Sequence, residues 1–422
     1  MKLQDHPPLH LTYCLNIHPG ETWAESFAAI RDKALRVREL VAPVRPFGLG
    51  LRLSRLAAGQ LAEPAALDAF KDFLARQDLY VFTINGFPYG RFHGAAVKED
   101  VYRPDWQTDE RRDYTNLLAD ILAKLGTLPI FPKQAGVCSE ATGGKTGSVP
   151  SFAGSISTVP GSYRQWITSD EQMQTLVHRL AECAAHLAGI ERQTGCRLTI
   201  GLEPEPDCLI ETTDETIAFF EGPLLTHGVP HLRSSFGVCA IEAEQILRRH
   251  LGVCFDTCHL AVQFEDLSDS LRRLIQRGIV VSKIQLSAAL RAPLNDATVR
   301  QLAAFCDPVY LHQIKTRGRD GRVHSYADLP PALEAPARSE EVEARIHFHV
   351  PLFFEGEGEL LSTSDSFTPE FVDDLLRGAS EHLEIETYTF NVLPKALRPA
   401  DVTESIAKEY AWVLSSLLQV QR

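Results

Sequence analysis

Along most of the chain, short apolar runs alternate with stretches in which apolar residues recur every three or four positions. The first pattern predicts strands and the second predicts amphipathic helices. "LTYCLNI" (11–17) reads as a strand broken by Pro19-Gly20, after which Trp23, Phe27, Ile30, Ala34, Val37 and Val41 fall at helical spacing. "FGLGLRLS" (47–54) precedes a helix through Leu67, Phe70 and Leu74, and "LYVFTING" (79–86) precedes a glycine- and aromatic-rich loop and a helix near 112–125. "GSISTVPG" (154–161) leads to a helix that opens on a capping box, Ser169 to Gln172, and stops at Gly195. "RLTIGLEPE" (197–205) is followed by a second such box, Thr212 to Glu215. Further strands are predicted at "GVCFDTC", "VSKIQLSAAL", "VYLHQIK", "RIHFHVPLFF" and "HLEIETYTF", and a last helix runs through Ile406, Tyr410, Val413 and Leu417.

Strands that alternate with helices imply parallel pairing through right-handed crossovers. The expected fold class is therefore α/β, a TIM (β/α)8 barrel with loop and hairpin insertions, in one domain over 1–422. An open doubly wound sheet competes, but its glycine fingerprint after the first strand is missing. About ten strand candidates compete for about eight barrel places. "VYLHQIK" and one neighbour are accordingly predicted to be hairpin extensions. The connections at 86–110, 131–153 and 316–343 are long enough to carry function.

Alternation along each strand then sorts residues into two faces. Leu198, Ile200 and Leu202 oppose Thr199, Gly201 and Glu203, and Val253 and Phe255 oppose Cys254 and Asp256. Ile284 and Leu286 oppose Lys283, Gln285 and Ser287, while Leu383 and Ile385 oppose Glu384 and Glu386. Ile346, Phe348 and Val350 oppose His347 and His349, and Phe82 and Ile84 oppose Thr83 and Asn85. In a barrel the apolar face meets the helices and the other face points down the axis. Glu203, Asp256, Gln285 and Glu386 all sit late in their strands, so they should gather at the C-terminal mouth, where barrel active sites are built. Carboxylates sharing a mouth repel one another unless a cation compensates. Oxygen ligands of this kind suit a divalent ion, with Mg, Mn or Zn all open. Each residue also has an ordinary reading: Asp256 as a helix cap, His259 as a structural imidazole, His347 and His349 as alternation on a half-exposed strand, and Glu384 as an ion-pair partner of Lys283.

Bulk properties narrow the partner. The formal charge of -13 and the lack of a dense basic run disfavour nucleic acid. No apolar run approaches the roughly 18 residues of a membrane span, and no signal peptide is evident at the start. Nine scattered cysteines without a CxxC pair fit a reducing compartment, so a cytoplasmic location is expected.

The residues "LEPEP", "FDTCH", "KIQLSAAL" and "EIETYT" together resemble the motif strands of the xylose isomerase-like barrel superfamily. That resemblance implies metal ligation by Glu203, Asp256 and Glu386, with Gln285 at the place of a third ligand that is usually His. His349 or His312 would then complete the shell. Arg291 lies near the place of a substrate-contacting Arg. Over nearly the whole chain, "LTYCLNIHPGETW", "PFGLGLRLS", "FTINGFPYGRFHG", "VYRPDW", "GSISTVPGS", "HFHVPLF" and "ETYTFNVLP" are similar to the EboE family of metabolite traffic proteins. This implies a small-molecule metabolite as partner, in secondary metabolism, alongside proteins of the same gene cluster. The leading expectation is a metal-dependent isomerase or epimerase type of enzyme. The ion would polarise substrate oxygens, and Glu203 and Glu386 would exchange a proton as base and acid. His259 would orient the substrate, with Asn85, His93, Lys283, Arg291 and His349 as further substrate contacts. A hydrolase or phosphoesterase and a carrier without turnover are the alternatives.

Overall fold

The computed structural model describes residues 1–91, 98–127, 152–306, 311–334, 341–391, 393, 398 and 401–420. Eight parallel strands form a ring: β2 (Pro8–Tyr13), β3 (Phe47–Arg52), β4 (Leu79–Asn85), β5 (Phe152–Thr158), β6 (Cys196–Leu202), β7 (Leu251–Asp256), β8 (Val280–Leu286) and β15 (His382–Ile385). A short strand, β1 (Lys2–Asp5), adds antiparallel to β2. The sheet runs β2-β15-β8-β7-β6-β5-β4-β3, and a parallel bridge from Cys14 to Gly50 joins its two ends into a barrel. Closure depends on the glycine, because a Cβ at Gly50 would stand 2.8 Å from the Tyr13 carbonyl oxygen and collide with the Glu384 carboxylate.

The helices form where the hydrophobic spacing places them. Asp170–Thr194 opens on the full Ser169–Gln172 capping box and ends at Gly195 in the left-handed conformation, φ 73°. The Thr212–Glu215 box opens the helix Thr213–Glu221. The helical stretch from Trp23 to Val41 is interrupted by a π turn over Ile30–Ala34. Leu49, Leu51, Ile84, Leu198, Ile200, Val253, Ile284 and Leu383 are all buried in one continuous core with the inner faces of these helices.

The surplus strands form a second sheet. The run "VSKIQLSAAL" is not one strand but two, divided at Ser287: β8 stays in the barrel and β9 (Ala288–Pro293) leaves it. Around β9 lie β10 (Ile314–Gly318), β11 (Val323–Tyr326), β12 (Glu341–Val350), β13 (Gly356–Glu357) and β14 (Leu360–Ser362). Their antiparallel order is β11-β10-β12-β9-β14-β13. Of "VYLHQIK", Ile314 and Lys315 lie in the β10–β11 hairpin, Val309 and Tyr310 lie outside the described residues, and the neighbouring extension strand is "RIHFHV". His347 and His349 are buried along with Ile346, Phe348 and Val350. The half-exposed strand envisaged for them fails because this sheet covers the barrel and is itself covered, with Phe305 packing on Phe348 at 5.1 Å. Among the described residues no disulfide forms and no helix is long and apolar enough to cross a membrane.

Candidate metal centre

Asp256 is both a cap and a site residue. It is the last residue of β7, and its Oδ1 accepts from the His259 backbone N–H at 3.0 Å, opening the helix Thr257–Val262. The same oxygen accepts from Ser287 Oγ at 2.7 Å. That single helical turn carries His259 back over the mouth, where its Nε2 stands 3.9 Å from Asp256 Oδ1 and its Nδ1 3.9 Å from Glu203 Oε1. Ligand atoms of Glu203, Asp256 and His259 lie within 4.8 Å of one another, and all three residues are buried.

Gln285 lies beneath them. With its amide nitrogen turned toward the acids it donates to Glu203 Oε1 at 2.9 Å and to Asp256 Oδ2 at 3.2 Å. The opposite orientation would set its oxygen against the Glu203 and Asp256 carboxylate oxygens, with only the weak Cys254 thiol donor at 3.2 Å to offset them. The side chain therefore places a donor between the two acids rather than a ligand atom. Glu386 follows β15, accepts from Asn16 Nδ2 at 2.5 Å and has its Oε2 2.7 Å from His349 Nδ1.

Burial drives the electrostatics. It pushes the Glu203 carboxyl well above its ordinary value, and Asp256, Glu386 and Glu205 push it the same way. Glu205 is pushed up to about 8, again chiefly by burial, against a hydrogen bond at 2.9 Å from Tyr102 Oη. Burial also holds His259 and His347 below the usual imidazole range, so both are neutral and able to ligate. At His349, by contrast, burial is outweighed by Cys258 and Glu386, which hold the imidazole well above its usual range. The crowded buried acids, the two neutral imidazoles and an unpartnered Glu205 Oε2 together fit a divalent cation.

A cavity of about 50 Å³ opens onto this group, lined by Asn16, Asn85, Phe87, Tyr102, Glu203, Glu205, His259, His347, Glu386 and Tyr388, among others. Tyr102 is stacked between Phe87 and Tyr163, with centroids 5.7 and 5.3 Å away, which fixes its hydroxyl toward Glu205. Of the residues expected at the site, Glu203, Asp256, His259, Gln285, Glu386, His349 and Asn85 are brought to the mouth. Lys283 is not. It is fully buried inside the barrel and donates to Glu384 Oε2 at 2.5 Å, so it cannot hold a substrate. Arg291 pairs with Asp365 at 2.7 Å on the inserted sheet and does not line the cavity. His312 Nδ1 donates to the His347 carbonyl oxygen at 3.0 Å and supports the strand rather than the centre. His93 lies outside the described residues.

Asn16, Tyr102, Gln313 and Tyr388 were not singled out from the sequence. Asn16 ends the run "LTYCLN", so strand position alone could have marked it. Tyr102 and Gln313 act through the insertion, which no local pattern reveals. A roomier cavity, about 710 Å³, opens at the opposite end of the barrel beside Arg197, Arg249, Ser282 and His382. Two of its arginines are already paired, Arg197 with Glu381 and Arg249 with Glu191.

Fold and site define a (β/α)8 barrel with a buried carboxylate–imidazole cluster at its C-terminal mouth. No family model matches the chain, and no curated protein sequence matches it. Solved structures do match. A protein described as the probable 3-DHS dehydratase AsbF of petrobactin synthesis in Bacillus anthracis is 13% identical, with 96% of this chain and 98% of that chain covered and a TM-score of 0.46. The IolI protein with a bound zinc atom is 9% identical over 98% and 99% of the two chains, TM-score 0.45. A xylose isomerase domain protein from Alicyclobacillus acidocaldarius is 12% identical over 98% and 99%, TM-score 0.42. At such distances the likeness carries nothing about activity; the barrel assignment rests on strand order and closure.

Proposed function

We propose that the protein is a divalent-metal-dependent enzyme acting by proton transfer, of the isomerase or epimerase type, on a small polar metabolite. The observation that carries this reading is the meeting of Glu203, Asp256 and His259 from consecutive barrel units at one buried point beside a cavity. A divalent ion held there would polarise adjacent carbonyl and hydroxyl oxygens and acidify a neighbouring C–H. Asp256, fixed by Ser287 and the His259 amide, is built to stay in place. Glu203 and Glu386 face the same cavity and supply the pair of carboxyls that a proton exchange needs. Asn16 holds one oxygen of Glu386, and Gln285 holds Glu203. Asn85 and Tyr388 offer polar contacts to the substrate, against the apolar wall of Phe87. The resemblance to the EboE family supports placing this activity in the handling of a secondary metabolite, next to the products of its gene cluster.

The test is solvent exchange. Metal-loaded protein in deuterium oxide should place deuterium at the carbon next to the carbonyl of a substrate drawn from a ketose and keto-polyol panel, read by NMR. Glu386→Gln should abolish the exchange while keeping the fold. Purified protein that takes up no divalent metal by elemental analysis removes the basis for the reading.

A second reading, hydrolysis by a metal-bound hydroxide, is favoured by one observation: His347 and His349 bring the mouth to three histidines, more than proton transfer requires. Release of phosphate from model phosphoesters by the zinc form, without deuterium exchange, would select it.

A further inference from the structure

The inserted sheet brings two imidazoles to the mouth that the barrel strands alone would lack. His347 and His349 lie on β12, where the pairing with β9 slips between Ile346 and His349. Bulges of this kind re-aim side chains and recur next to active sites. The rings of His259, His347 and His349 pack against one another with centroids 4.6, 5.5 and 5.4 Å apart. Their ligand atoms fall within 4.8 Å, and all three residues are at least nine-tenths buried.

The hydrogen bonds settle which nitrogen each ring presents. His259 Nδ1 is 3.0 Å from the Pro204 carbonyl oxygen, which can only accept. His347 Nδ1 is 2.8 Å from Gln313 Oε1. That amide cannot be reversed, because its nitrogen donates to Tyr102 Oη at 3.0 Å and to the Pro206 carbonyl at 3.1 Å. His349 Nδ1 faces the Glu386 carbonyl at 2.9 Å and the Glu386 carboxylate at 2.7 Å, acceptors both. Each Nδ1 thus carries a hydrogen, which leaves Nε2 as the nitrogen a metal would take. At His349 the metal would displace the proton that, with burial outweighed, Cys258 and Glu386 favour there. Nε2 of His347 and of His349 makes no hydrogen bond of good geometry, and the buried Cys258 thiol lies against the His349 ring. A buried ring nitrogen without a partner is uncommon, and a missing ion is one of the physical reasons for it. Three rings pinned at Nδ1 by acceptors, two of them open at Nε2 and the third with Nε2 3.9 Å from Asp256 Oδ1, have the outer arrangement of metal-bound imidazoles.

We propose that His259, His347 and His349 form a three-imidazole metal position that takes a borderline divalent ion, such as zinc or cobalt(II), in preference to magnesium. The inference rests on the reading of the mouth as a metal centre and adds two things to it: the ion's class and the inserted sheet as supplier of two ligands. Imidazole suits zinc, copper, iron and nickel, whereas carboxylate and water suit magnesium, calcium and manganese. Because β12 belongs to the insertion, the ion would tie that sheet to the barrel.

The experiment is a cobalt(II) titration of the full chain after chelator treatment, followed by visible absorption, with magnesium in large excess. The expected result is a visible d–d band that saturates, survives magnesium and is displaced by zinc. His347→Gln and His349→Gln should each weaken cobalt binding by at least about 100-fold, and Gln313→Leu by about 10–100-fold. Glu203→Gln should retain the band. Far-ultraviolet circular dichroism of each variant establishes that it is folded, and Gln313→Leu tests the same point without removing a ligand. Unchanged cobalt affinity and spectrum in both histidine variants, with loss in Glu203→Gln, would overturn the proposal and leave a carboxylate metal site standing. No uptake of cobalt or zinc by the wild-type chain would overturn both.

Discussion

The barrel interior holds buried charge at two levels, and the two are treated differently. Halfway down, Lys283 and Glu384 lie 2.5 Å apart with neither side chain exposed. Burial works against the Lys283 charge, but Glu384 outweighs it and holds the ammonium above its ordinary value. At the mouth, Glu203 and Asp256 face each other across a neutral amide, and Glu386 is held by Asn16 and His349. The lower level pairs opposite charges, with Glu384 Oε1 left without a hydrogen bond. The upper level is a set of acids and imidazoles whose mutual repulsion a cation from outside would relieve. The same residue types make a structural pair where opposite charges meet and a candidate site where like charges do.

That contrast breaks most visibly at Lys283. Lys283→Met should destabilise the protein by about 3–5 kcal/mol, because Glu384 is left buried and unpaired. Lys283→Met combined with Glu384→Leu should recover most of the loss in urea unfolding. Metal loading sharpens the comparison next. Metal at 100 times its Kd should stabilise the wild-type chain by about 2.7 kcal/mol, read as a raised Tm, and the same metal concentration should stabilise Asp256→Asn by less. At the mouth the sign of a neutralising substitution reverses. Glu203→Gln should stabilise the chelator-treated protein on the order of 1 kcal/mol, since it removes a buried like charge.

The pH dependence follows the same logic. Burial pushes Glu205 up to about 8 and Glu409 up to about 7, above their unfolded values, so the native state binds more protons in between. Stability of the metal-free protein is then fullest at about pH 4.5 and falls as pH rises toward 8, by about 1.4 kcal/mol per pH unit per group at most. Glu205→Gln should flatten the upper part of that slope in melts from pH 5 to 8. The smallest effect is at Arg291. Its pair with Asp365 is partly exposed, so Arg291→Ala should cost below about 1 kcal/mol and leave metal affinity unchanged.

The barrel was legible because alternation repeats at every strand. Leu198, Ile200 and Leu202 against Glu203, or Val253 and Phe255 against Asp256, announce both a core face and a polar end. Glu384 was legible for the same reason, as an early residue suited to pairing with Lys283. The insertion was not. "VSKIQLSAAL" reads as one apolar run, and nothing in its pattern marks Ser287 as the residue where the chain leaves the barrel. "RIHFHV" alternates like any strand with one face in solvent. Its two histidines are instead enclosed because a second sheet folds over the mouth, a contact between segments far apart in sequence. Lys283 and Arg291 illustrate the same gap: parity fixes the face of a strand, but depth in the barrel and the pull of Glu384 or Asp365 decide what the side chain reaches.

The most direct test is anomalous scattering from crystals grown with zinc and recorded at the zinc edge. A peak at the mouth, about 2.0–2.2 Å from the His259 nitrogen and from the imidazole nitrogens of His347 and His349 or the oxygens of Asp256 or Glu203, is the predicted result. Zinc found only at surface sites, with the mouth acids turned away from one another, would contradict the account.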